Sequence, residues 1–97
     1  MRNHLTTHPG EVLREDVLPG LNMSEADFAA HLGISHEALR AVLRCEAPVT
    51  LDLAARLVKA LGGSVRYWLA MQMAYDVDVA DEIDVKVEPL PHAPSAA

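Results

Sequence analysis

Residues 31–43, HLGISHEALRAVL, run one helical pattern into a glycine and begin a second almost at once. This break constrains the fold more than any other stretch, because two short helices so close in sequence must cross and pack. The requirements are physical, and each is met by a residue. Ala29 is small enough to let the first helix approach the second. Gly33 can take the left-handed conformation that ends a helix, and Ile34 can plug the turn. Ser35 can cap the next helix through its hydroxyl. Leu39 and Val42 then lie where they lock the crossing. This is the helix-turn-helix plan, in which the second helix projects as a rigid rod. A plain helical bundle could show the same core pattern, so the outward face of the second helix decides.

That face carries His36, Glu37, Arg40 and Arg44. Arg40 can pair with guanine O6 and N7 in a major groove, and His36 can bond to a base edge or a phosphate. Ser35 and the helix N-terminus can hold a phosphate through backbone N–H groups. Arg44, one turn beyond Arg40, is placed for the phosphate backbone more than for bases. Glu37 can accept from cytosine N4, or it can pair with Arg40 on the same helix and blunt it. A solvated helix face is the bland alternative for both arginines.

Ninety-seven residues fit one small domain with tails. About half are hydrophobic (51%) but only four are aromatic, so the core must be built mainly from Leu, Val and Ala. Residues 1–7 carry no periodic signal and read as a flexible arm. HPGEVLREDVLPG reads as a helix with Pro9 in its first turn and Pro19-Gly20 as its stop. Ser24 is a good N-cap for the next helix, EADFAAHL, and joins the candidate DNA-contacting residues. The third helix covers roughly residues 36–44. Thr50 caps a fourth helix through Leu61, ended by Gly62-Gly63. Ser64 starts a fifth, VRYWLAMQMAY, apolar on nearly every side. One small core cannot cover such a helix, so a second copy of the chain is expected over Trp68, Met71, Met73 and Tyr75. Gln72 falls on the same stripe and must be hydrogen-bonded if buried, tying a loop or crossing the dimer. From residue 83 the period changes to two: Ile83, Val85 and Val87 alternate with charged residues, which predicts a short strand at about 83–88. Its simplest partner is the same strand of a second subunit.

The net charge is −6, which is unfavourable for nucleic acid until its distribution is read. Residues 76–97 hold six acids against Lys86, a local −5, whereas residues 1–75 hold eight acids against seven bases. The acidity belongs to the tail at residues 77–97, as a solvated tail or as part of a dimer and protein-partner contact through residues 83–88. The domain proper spans residues 8–76, and the body over residues 1–75 is close to neutral.

The single Cys45 excludes an intramolecular disulfide. No signal segment opens the chain, and its apolar runs are too short to span a membrane, so it reads as cytoplasmic with no membrane partner. The five histidines and Cys45 form no metal-ligand spacing, and no cofactor is expected. With no Gly-rich phosphate loop, paired carboxylate or base-activated nucleophile, the chain does not read as an enzyme and calls for no small-molecule substrate.

The run from HPGEVLRED through SEADFAAHLGISHEALRAVLRCEAPVTLDLAARLVKALGGSVRYWLAMQMAYD resembles the HigA family of addiction-module antitoxins, of the Xre/Cro helix-turn-helix type. The marks are His8-Pro9-Gly10-Glu11 with Leu13, then Pro48-Val49-Thr50, then Trp68-Leu69, Gln72 and Tyr75-Asp76. The resemblance implies an all-α, five-helix, lambda-repressor-like domain. It also implies a homodimer that binds a palindromic operator in double-stranded DNA, represses its own operon and neutralises a RelE-like mRNA-cleaving toxin. Ser35, His36, Glu37 and Arg40 match the family's base-reading stretch. Two departures stand out. The family commonly carries an amide where Glu37 sits, and Gly then a base in the loop where this chain has Cys45-Glu46. They keep two other readings open: a helical interaction module that has lost DNA binding, and a phage-type repressor with no toxin.

Overall fold

The structure, a computed structural model, describes residues 6–91. Most of the arm expected over residues 1–7, and the end of the tail from residue 92, lie outside the described residues. Five helices follow in sequence. Helix α1 covers residues 9–21 as three continuous segments, α-helical Pro9–Val12, a π turn Leu13–Val17 and α-helical Leu18–Leu21. Helices α2 (Glu25–Leu32), α3 (His36–Leu43), α4 (Leu51–Leu61) and α5 (Val65–Val79) follow, and a 3-10 turn, Ala80–Glu82, extends α5.

The polar residues read as caps act as caps. Ser24, Ser35, Thr50 and Ser64 each accept from the backbone N–H three residues on, at 3.0, 3.0, 3.2 and 3.1 Å. The expected stop at Pro19-Gly20 does not occur, and α1 instead ends at Asn22 with φ +58°. The π turn explains this. The Leu18 N–H bonds to the Leu13 carbonyl five residues back, so Pro19 falls in the first turn of a new segment, where its missing N–H costs little.

The core joins all five helices: Leu13 of α1, Phe28, Ala29 and Leu32 of α2, Leu39, Val42 and Leu43 of α3, Leu53, Ala54 and Leu57 of α4, and Trp68 of α5. Val49, in the loop before α4, completes it. Two buried polar side chains fasten the scaffold. The Gln72 Oε1 accepts from the Val49 N–H at 2.7 Å, and its Nε2 donates to Asp76 at 2.9 Å, so the amide ties a loop to α5. His8 caps α1, its Nδ1 accepting from the Gly10 N–H at 2.9 Å, while its ring meets Tyr75 of α5 edge-on at 4.8 Å. Burial pushes the His8 imidazole below its ordinary pKa, against the opposing pull of Asp76 and Glu11. Nδ1 can accept a bond only in the neutral ring, so the geometry and the shift agree.

The strand expected over residues 83–88 is not formed, and among the described residues there is none. Ile83, Val85 and Val87 are 61%, 68% and 78% exposed. An isolated extended segment has no ladder to join within one chain, so the alternation alone cannot make a strand. Among the described residues no helix is long and apolar enough to cross a membrane.

Candidate nucleic-acid interface

Helices α2 and α3 and the turn between them are held at both helix ends. At the end of α2, Gly33 is left-handed (φ +78°), its N–H donates to the Ala30 carbonyl at 3.1 Å, and the Ile34 N–H donates to Ala29 at 3.0 Å. At the end of α3, Cys45 is left-handed (φ +62°), its N–H donates to Val42 at 2.9 Å, and the Glu46 N–H donates to Ala41 at 2.9 Å. Both are the paired 6→1 and 5→2 closure that satisfies orphan helix carbonyls.

Each end also receives an arginine from a neighbouring helix. Arg56 of α4, oriented by Asp52 one turn earlier, donates Nη1 to the Leu32 carbonyl at 2.8 Å. Arg14 of α1 donates Nη1 to the Leu43 carbonyl at 2.6 Å. These guanidinium groups meet the negative ends of α2 and α3, where a cation is favoured. Sequence reasoning did not single out either residue. No local signal marks Arg56 for this contact, because its acceptor lies 24 residues away in sequence.

The outward residues of α3 divide. His36 is half-buried and its Nε2 bonds to Glu25 Oε1 of α2 at 3.2 Å, so it braces the first turns of the two helices together. Glu37, Arg40 and Arg44 are exposed. Their side chains form no hydrogen bond or ion pair among the described residues, so of the two alternatives for Glu37 the pair with Arg40 is not made. Ser24 and Ser35 are exposed at the N-termini of α2 and α3, beside backbone N–H groups that a phosphate could share. Glu46, acidic and exposed, follows Cys45. The structure thus presents two arginines and one carboxylate, unpaired among the described residues, on a helix whose ends are both fixed.

The residues expected at a dimer contact also separate. Trp68 is buried in the chain's own core, Met71 packs against that core, and Tyr75 is half-buried against His8. Met73 is 67% exposed and lines a mainly apolar groove on α5 with Val65, Leu69 and Ala70, beside the charged Arg66. Val77, equally exposed and one turn on, extends the same face and was missed, because the sequence reading ended the helix at Tyr75.

No family model matches the chain. Virulence-associated protein I of Dichelobacter nodosus is 39% identical over 75 residues, spanning 77% of this chain and 69% of the relative. A solved addiction-module antidote protein of the HigA family from Coxiella burnetii shares 34% identity at a TM-score of 0.71, with 93% of this chain and 100% of that one covered. The antitoxin GraA, solved in complex with its operator, shares 32% identity at a TM-score of 0.72 over 93% of this chain and 97% of GraA.

Proposed function

This chain belongs to the HigA family of addiction-module antitoxins of the Xre helix-turn-helix type, and from that premise we propose that it binds operator DNA as a homodimer, represses its own operon and neutralises a RelE-like mRNA-cleaving toxin by direct contact. The observation that carries the DNA reading is the pair Arg40 and Arg44, exposed and unpaired on a helix clamped at both ends. Arg40 donates to guanine O6 and N7 in the major groove, and Arg44 neutralises a phosphate. The capped N-termini at Ser24 and Ser35 bind phosphates that set the register. His36 holds α3 against α2 through Glu25 rather than reading a base. That GraA was solved on its operator supports this reading.

The second copy covers the α5 groove at Val65, Leu69, Ala70 and Met73, continued by Val77 and by Ile83, Val85 and Val87. Two-fold symmetry then sets two α3 helices into half-sites about 34 Å apart, which accounts for a palindromic site. Titrating the full chain with its upstream DNA across a salt series tests the reading. Affinity should fall steeply as salt rises, with a slope set by the phosphates neutralised. Absence of binding at low salt would instead favour an interaction module, the reading that the acidic Glu37 and Glu46 motivate. Pull-down of the neighbouring gene's product after co-expression tests the toxin contact, and its absence would leave a stand-alone repressor.

A further inference from the structure

We propose that Glu37 is a base-reading residue that selects a cytosine in the operator, next to the guanine taken by Arg40; this rests on the operator reading above. Three observations carry it. His36, the other polar side chain of the first turn of α3, is engaged with Glu25 and leaves the groove face to Glu37. Glu37 is exposed and makes no bond with Arg40 or any other described residue, so its carboxylate is uncommitted. Both ends of α3 are fastened, by the Ser35 cap and by Arg14 on Leu43, so the carboxylate stands on a helix held at both ends.

The chemistry of the groove then restricts what Glu37 can meet. A carboxylate only accepts. Phosphates, guanine O6 and N7, adenine N7 and thymine O4 are all acceptors and repel it. The donors on base edges are cytosine N4 and adenine N6, and an adenine brings N7 beside N6, where a second carboxylate oxygen is repelled. Cytosine is the partner that matches. Glu37 and Arg40 are three residues apart, about 4.5 Å along the helix, against a base-pair step of about 3.4 Å, so they address neighbouring pairs. An acid also suits the N-terminal turn of a helix for purely electrostatic reasons. That role would confer no base preference, which is the readout that separates the two.

The full chain and its Glu37→Gln and Arg40→Ala variants are each carried through rounds of selection on a randomised duplex library. The wild type should enrich a half-site with a C·G pair beside the guanine position that Arg40→Ala relaxes. Glu37→Gln should replace that cytosine by adenine, which a glutamine amide pairs with through N6 and N7, with roughly a tenfold change in relative affinity and other positions unchanged. The proposal is overturned if Glu37→Gln returns the wild-type motif at every position, or tightens binding to all duplexes alike. A wild-type motif lacking the cytosine overturns the Glu37 assignment alone, whereas a wild type that enriches no motif overturns the operator reading as well.

Discussion

Helix α2 ends on Gly33 and helix α3 on Cys45, and both ends close with the same two hydrogen bonds and an arginine from a neighbouring helix. Only one of them carries a glycine at the turn. A Cβ at Gly33 would lie 2.9 Å from the Arg56 Nη1, the movable end of a long side chain, so the clamp would have to shift while the positive φ disfavours the side chain itself. At Cys45 the turn is open enough to admit one, at the usual cost of a left-handed side chain. The close approach at the α3 end is transferred to α1, where Gly10 packs directly on the Val42 carbonyl oxygen and a Cβ there would overlap it. That same oxygen accepts the Cys45 N–H. A glycine is therefore demanded where a neighbour approaches a joint, which need not be the left-handed residue.

Substitutions at the two ends can break this comparison, beginning with the largest effect. Gly10→Ala should push α1 off the end of α3 and cost about 3 kcal/mol, read by denaturant unfolding, with operator affinity falling alongside. Gly33→Ala should cost about 1–2 kcal/mol through its disfavoured φ, with the Arg56 end displaced to make room; a loss no larger than that of an exposed helix-surface change would refute the need for a left-handed joint. Arg56→Ala, at a partly exposed site, should cost about 1 kcal/mol in melting experiments. In the Gly33→Ala background its additional cost should shrink, because the contact is already disturbed. Cys45→Gly should do the opposite and stabilise by about 0.5 kcal/mol, glycine's entropy offsetting part of the relieved strain.

The smallest effect concerns pH and belongs to the α3 end, because His8 orders the turn that carries Gly10. Its folded pKa lies below the ordinary histidine value, so the unfolded chain binds the proton first. The contribution is fully present above about pH 6.5 and is lost as pH falls from there toward the lower folded value. Melting temperature followed from pH 7.5 to 5.5 should decline, and His8→Asn, which can still cap but does not titrate, should flatten that decline. An unchanged pH slope in the variant would remove His8 from this role.

Much of the scaffold could be read from residue chemistry over short distances. The four serine and threonine caps, the Gly33 joint with Ile34 behind it, and the core stripes of α2, α3 and α4 all depend on neighbours within one or two helical turns. The outward position of Glu37, Arg40 and Arg44 followed from the same periodicity. The reading failed where a local signal met a longer-range cause. Pro19 looked like a stop because the π turn that accommodates it has no marker in composition. The alternation over 83–88 looked like a strand, but alternation supplies no hydrogen-bonding partner.

The sequence by itself determined the two crossing helices, their caps and the polar row on the second. Those features are set by steric and hydrogen-bonding preferences of adjacent residues. Only the tertiary structure decided which side chains of that row are engaged within the chain. It turned His36 back onto Glu25, left Glu37 and Arg40 unpaired among the described residues, drew Trp68 and Tyr75 into the chain's own contacts, and recruited Arg14 and Arg56 as helix clamps. Each of these depends on which distant carbonyl, carboxylate or ring comes within bonding reach, and residue spacing along a chain does not encode that reach until the helices have packed.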